Sequence, residues 1–474
     1  MKELKKGEPW WGETWDPRAQ NAQRIPAVLS RTARGNIQLE ILAREEDKSA
    51  LFPRDGSTSR LNSFVDFSDA AAPKFLSFAS KDGNAALYGV RFRGQTQNSN
   101  MRREILRCEA SFVVLGTYSF RNNGGYQRID GEISGLFNWM GRAALASRRS
   151  VDDVGSGKFE FQTEVIANPP FELKAAGLGT LRLWSDANVN DSGTPTHLGP
   201  RVLFRSIGRS EFCGYGRATW SDAMAAISGL RDLLIISEWE LEEIVQLRVA
   251  FQADSPTRWY PLEPYGLNLR EPERAAKFFH LFPFDELGQK GIERWFEFLT
   301  DSNLSRVVKP LALLRRSEIS LDGRILILGS IIDALAGYLL RLEIEWKYKG
   351  HGAKSNCSRV AQFAGIAMTT EQKAVWIDRM SELYNLIKHS DKKPTPSGNA
   401  VEQKVPFEKS DVANIAQSLI RISLGKLLGM SDQSLLSRLK EDPHRPERWS
   451  VERFADPSEV WPIESNARIS ITVD

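Results

Sequence analysis

The spacing of apolar residues changes once along the chain, near Pro272, and that change limits the fold more than any other feature. From Trp10 to about Phe251 the apolar runs are short and broken by turn residues, the habit of β-rich domains. From near Lys277 to about Leu439 apolar residues recur three and four apart, as they do on helices. The pattern predicts an α+β chain: a β-rich N-terminal half, an antiparallel sandwich or barrel, followed by an all-α helical bundle. At 474 residues the chain is long enough for two or three domains.

Within the first half, Asn36 to Leu42 alternates apolar and polar positions and Phe112 to Tyr118 is a fuller apolar run, so both are predicted as strands. Turns are predicted at Asp55-Gly56, Asp82-Gly83, Asn123-Gly124-Gly125 and Asn188 to Thr196, where Gly, Asn and Pro supply bends. Trp220 to Leu234 has helical spacing behind a polar start and is predicted to interrupt the strands. These signals divide the chain into a β-rich part at 1–272, a helical connector at 273–319, a helical domain at 320–440 and an extended tail at 441–474.

In the helical domain, Leu328, Ile332, Leu335, Leu339 and Leu342 fall on one stripe of a helix that starts near Ser320. Further helices are predicted over Asn356–Ile366, Thr370–Lys388 and Ser410–Leu428, with a wet, proline-broken loop from Asp391 to Lys404. The run from Ile325 to Leu340 is too short to cross a bilayer and contains Asp333, so it reads as a buried helix. A carboxylate in such a run needs a partner: it could orient Lys388 or the His389 ring, or merely cap or bridge helices.

The net charge of +3 is too small to announce a nucleic-acid binder through the field of the whole protein. Three widely spaced cysteines, Cys108, Cys213 and Cys357, argue against a disulfide framework and for a reducing, cytoplasmic setting. The basic N-terminus is not followed by an apolar stretch, so no signal peptide is predicted. No phosphate-binding glycine loop, Gly-x-Ser-x-Gly elbow or His-Glu-x-x-His motif occurs, which removes several enzyme classes.

Of five histidines, His197, His280, His351 and His444 have no neighbours at metal-ligand spacing. His389 differs, because Asn385 precedes it by one helical turn and Tyr384 and Lys388 form the adjacent pair. An imidazole can exchange protons with a ribose 2′-hydroxyl while a cation and an amide hold the phosphate. The plainer alternative is that the helix ends in Lys-His because positive charge is favourable at that end of the helix dipole.

Three stretches resemble the HEPN superfamily and, more narrowly, the ApeA-like anti-phage proteins. Leu328 to Leu339 (LGSIIDALAGYL) is similar to the first HEPN helix, with Asp333 at its acidic place. Tyr384 to His389 (YNLIKH) resembles the HEPN motif of Arg-Asn, three residues, His. Trp10-Trp11 through Leu42, with Asp130 to Gly141 (DGEISGLFNWMG), resembles the ApeA N-terminal domain.

The resemblance implies a HEPN bundle that pairs into a homodimer or higher homo-oligomer and cuts RNA, tRNA or another cellular RNA, with no metal or other cofactor and no membrane. It implies abortive infection in answer to a phage-derived trigger, with the N-terminal half sensing or restraining. His389, Asn385 and Lys388 take the catalytic places, supported by Asp333, Tyr384 and Arg379. Tyr384 stands where the family has arginine, which leaves Lys388, Arg379 or Arg359 to supply the charge, or else the domain is a non-catalytic HEPN module that binds RNA or a protein partner. A second match to Arg, five residues, His at Arg438 and His444 is interrupted by Pro443 and is read as chance. Thirteen tryptophans suggest a third option, a carbohydrate-binding β-domain fused to helices, although tryptophans more often fill cores.

Overall fold

A computed structural model describes residues 4–5, 7–19, 22–32, 35–44, 51, 75–98, 103–118, 126–141, 145–151, 159–165, 169–191, 202–214, 219–251, 258–265, 279–342, 344–346, 350–365, 370–389 and 405–443. The chain is α+β, with a β-rich N-terminal half and a helical C-terminal half. It forms two compact units that interleave in sequence: Met1–Ser134, Arg209–Ala223 and Glu243–Glu271 make the first, and Gly135–Gly208, Met224–Glu242 and Pro272–Asp474 the second.

The first unit is built on six antiparallel strands: β1 (Trp10–Trp15), β2 (Ile25–Arg31), β3 (Ile37–Ala43), β4 (Phe75–Ser80), β5 (Asn84–Asn98) and β6 (Arg103–Leu115). They pair in the order β1-β2-β3-β6-β5-β4, and β4 pairs back to β1, so the sheet closes into a barrel and has no edge there. Alternation fills it: Ile37, Leu39, Ile41 and Ala43 of β3 are buried while the residues between them are half-buried. Trp10, Leu29, Leu76 and Phe78 join the same core. The Asp82-Gly83 turn joins β4 to β5, and it needs glycine because a Cβ there would stand 2.6 Å from the Trp10 ring.

Inward positions change parity in the middle of β5 and β6. Leu87 and Val90 both face the core, as do Ala110 and Val113. Gly89 lies at the switch with φ of +60°, a conformation costly for any residue with a side chain, and Ser111 donates a hydrogen bond to its carbonyl. On the far side of β6, Val114 pairs with Leu262 of β14 (Trp259–Pro264), which pairs with β13 (Ile244–Phe251), then with β7 (Tyr126–Ile133), then with Arg209 to Cys213 of β12 (Val202–Gly214). Here Asp130, only 1% exposed, accepts hydrogen bonds from Arg209 (3.0 Å) and Arg248 (2.8 Å).

The second unit contains α1 (Leu136–Met140), β8 (Leu145–Val151) paired with β9 (Phe159–Val165), the hairpin of β10 (Phe171–Ala175) and β11 (Gly179–Asp191), and most of α2 (Trp220–Glu238). A reciprocal capping box between Thr219 and Asp222 starts α2. Beyond Ala223 that helix is apolar nearly all round and buried at Ala226, Ile227, Leu230, Leu233 and Leu234.

Among the described residues seven further helices follow: α3 (Phe284–Thr300), α4 (Ser305–Arg316), α5 (Leu321–Leu339), α6 (Ala353–Ala364), α7 (Thr370–Lys388), α8 (Val405–Leu427) and α9 (Asp432–Glu441). Helices α5, α6, α7 and α8 each pack against the other three. Ser320 caps α5 by accepting the Gly323 N–H, and Leu328, Ile332, Leu335 and Leu339 form its buried stripe. Leu342 falls beyond the helix end and is half-buried. Helix α6 stops at Ala364 because Gly365 turns left-handed (φ +62°).

Several expectations change. The strand expected to run to Tyr118 ends at Leu115, where Gly116 (φ +86°) turns the chain. Asn188 to Asp191, expected in a turn, extend β11. The turns expected at Asp55-Gly56 and Asn123-Gly125, the helix start near Lys277, the loop from Asp391 to Lys404 and the tail beyond Pro443 lie outside the described residues.

Candidate functional site

Asp333 is the one charged side chain in the apolar stretch of α5, and it is only half-buried. Its Oδ2 accepts the hydroxyl proton of Tyr384 at 3.0 Å, and its Oδ1 accepts from Asn356 Nδ2 at 2.8 Å. It therefore ties together α5, α6 and α7. Tyr384 is 4% exposed, with its ring pressed on Gly329, one turn before Asp333 on the same face of α5. A Cβ at Gly329 would stand 2.2 Å from the Tyr384 ring, so this close crossing requires glycine.

From this anchor the network runs outward in two directions. Lys388, one turn after Tyr384, donates to the Tyr384 hydroxyl at 3.2 Å and stands 4.9 Å from the centre of its ring. That hydrogen bond holds the ammonium above the ordinary lysine range against the opposing effect of burial, with the Asp333 carboxylate adding to it. In the other direction, Asn356 Oδ1 accepts from Arg359 at 2.7 Å, and Arg359, 1% exposed, also donates to the Gly350 carbonyl. Cys357 lies in the same layer, and its thiol is pushed up by burial and by the Asp333 charge.

Asn385 and His389 form the neighbouring row, about 100° round α7 from Tyr384 and Lys388, and both are exposed. The helical bonding reaches His389, whose N–H donates to the Asn385 carbonyl at 3.0 Å. Its ring has no hydrogen-bond partner among the described residues.

The structure thus gathers Asp333, Tyr384 and Lys388 by direct contact and places Asn385 and His389 beside them on the same turn. It does not bring Arg379 in: that side chain projects about 140° away from Tyr384 and pairs with Glu382 at 3.0 Å. Arg359 does not meet phosphate space either, being buried behind Asn356. Gly329 and Asn356 were not singled out in the sequence. The only signals for them are a glycine four residues before the lone acid and an Asn-Arg pair at i, i+3 on α6.

Of the remaining histidines, His280 is half-buried and His351 exposed, while His197 and His444 lie outside the described residues. Among the described residues no three His, Cys, Asp or Glu side chains gather where a metal could bind. Cys108, Cys213 and Cys357 form no disulfide among the described residues. No helix among the described residues is long and apolar enough to cross a membrane.

The fold and site define a two-unit α+β protein with a β-barrel and a helical bundle carrying a Lys-Tyr-Asp network. No protein-family model, curated protein or solved structure matches the chain.

Proposed function

We propose that the helical half is a HEPN-type ribonuclease that needs no metal, and that the chain is an anti-phage protein of the ApeA-like kind acting by abortive infection. In this reading two bundles pair, the β-rich half senses or restrains, and a phage-derived trigger releases the activity in the cytoplasm. The supporting observation is a cation, Lys388, fastened through Tyr384 to Asp333 on the helix end where Asn385 and His389 stand exposed.

The chemistry follows from those groups. His389 takes the proton of a ribose 2′-hydroxyl, the 2′-oxygen attacks the adjacent phosphorus, and the bond to the 5′-oxygen breaks as that oxygen takes the proton back from the imidazolium. Products are a 2′,3′-cyclic phosphate and a 5′-hydroxyl. Lys388 and Asn385 hold the phosphate oxygens, so negative charge builds up beside fixed donors rather than in water. Asp333 and Tyr384 touch no substrate; they position Lys388.

A second reading, a non-catalytic HEPN module that binds RNA or a protein, is favoured by one observation. Tyr384, at the arginine place, is 4% exposed and its hydroxyl is taken by Asp333, so that position offers no charge to phosphate. Purified protein incubated with total cellular RNA, with and without EDTA, separates the two. Cleavage that survives EDTA supports the ribonuclease; binding without cleavage supports the module.

A further inference from the structure

Helix α4 (SRVVKPLALLRR) carries four cations, and no acid occurs from Ser302 to Ser317. Its inner face, Val307, Val308, Leu311 and Ala312, is buried. The outer face is an arc of about 80° that contains Arg306, Lys309, Leu313 and Arg316, all exposed. Solvated helix faces usually mix both signs; this one does not.

Helix energetics explain only part of it. Arg315 and Arg316 stand in the last turn, where the dipole favours cations, and Arg315 also pairs with Glu240 at 2.8 Å. Arg306 stands in the first turn, where the dipole disfavours a cation, and it has no side-chain partner among the described residues. Around the helix positive charge stays in excess. Asp232 is bonded to Arg231, and Lys309 and Arg316 lie near enough to favour its charged form. Arg324, at the start of α5, is held by the uncharged amides of Asn414 (2.9 Å) and Gln417.

The placement points at the candidate site. A short connection, Ser317 to Ser320, turns α4 back along α5. Asn303, just before α4, lies 3.7 Å from where a Cβ of Gly337 would stand, and Gly337 is one turn after Asp333 on the same face. Arg306 is therefore at the Asp333 end of the bundle, and Arg316 is about 15 Å further along.

We propose that the outer face of α4, with Arg306, Lys309 and Arg316, is a track for the phosphodiester backbone of an RNA strand leading to the Asp333–Lys388 end of the bundle. It rests on the ribonuclease reading for its choice of RNA. Charges in a row suit sequence-independent hold on a strand, with Leu313 as an apolar contact among them. A membrane surface suits it less, because the apolar face of α4 is already used inside the bundle.

The test uses a fluorescein-labelled 2′-O-methyl oligouridylate of about twenty nucleotides, which lacks the hydroxyl needed for cleavage, and reads anisotropy against salt. R306A/K309A should bind about tenfold more weakly at about 0.1 M salt and lower the salt slope by about 1.4, at roughly 0.7 per lost phosphate contact. The charge-matched control K81A/K290A should bind as wild type, and R306K/K309R should retain affinity, which separates charge loss from misfolding. An unchanged slope in R306A/K309A, or an equal loss in the control, overturns the track. So does a wild-type protein that ignores the oligonucleotide and binds phosphatidylserine vesicles. If the double variant loses binding while wild type never cuts ordinary RNA, the track stands and the ribonuclease reading fails.

Discussion

The Tyr384 hydroxyl donates to Asp333 Oδ2 at 3.0 Å, and through this bond the only charged group in the apolar run of α5 reaches the end of α7. Removing either partner leaves a polar atom short of a bond in a half-dry layer. Tyr384→Phe should cost about 1 kcal/mol and Asp333→Ala about 1–3 kcal/mol, since the latter strands Asn356 as well. Urea melts of both singles and the double variant check this; additive losses would mean the bond contributes nothing of its own.

Gly329 gives the same crossing a steric signature. Gly329→Ala sets a methyl group 2.2 Å from the Tyr384 ring and should destabilise by about 1–3 kcal/mol, although alanine is the better helix former. Shrinking Tyr384 to Ala in the same chain should make the Gly329 change nearly neutral. A Gly329→Ala protein more stable than wild type would show that the two helices do not meet this closely.

A buried clamp holds the other side of the second unit. Arg421 and Asp442, both without exposed side-chain area, pair at 2.7 Å, and Arg421 also donates to the Ile236 and Ser237 carbonyls at the end of α2. Its guanidinium lies 5.3 Å from the ring centre of Trp239, which turns left-handed (φ 59°) after that helix. Arg421→Met should cost about 3–5 kcal/mol, because Asp442 is left charged and buried. Thermal melts read the loss, and a variant melting with wild type would refute the clamp.

The cysteines should differ in reactivity. Cys108 lies in the barrel core with its thiol pushed up to about 12 by burial, and Cys357 is buried beside Asp333 and pushed up likewise. Cys213 is half-buried. At neutral pH a thiol reagent should modify Cys213 first, and the other two only on unfolding. Fast modification of Cys108 in the folded protein would contradict the closed barrel.

What could be read from sequence depended on how local each signal was. The stripe from Leu328 to Leu339, the helix start near Ser320 and Thr370–Lys388 are set by residues within a turn of one another, and the structure keeps them. Closure of β1 on β4 is not local: it joins Gly12 to Ser80 across a stretch with little pattern. The parity switch at Gly89 is invisible because alternation is correct on either side of it. At the site, Asp333 was conspicuous as a charge in an apolar run, and its three candidate roles could not be separated without knowing that Tyr384 stands between it and Lys388. Arg379 was a candidate to reach in with the missing charge, and helical rotation sets it about 140° round α7 from Tyr384, where it pairs with Glu382.

The account stands or falls on His389, an exposed imidazole beside Lys388 and Asn385. The direct measurement is the cleavage rate of total cellular RNA in EDTA by wild type and by His389→Ala proteins with equal melting temperatures. The account predicts metal-free cutting by wild type and a loss of about a hundredfold or more in the variant, with 2′,3′-cyclic phosphate ends on the products. Equal rates for the two proteins would contradict it.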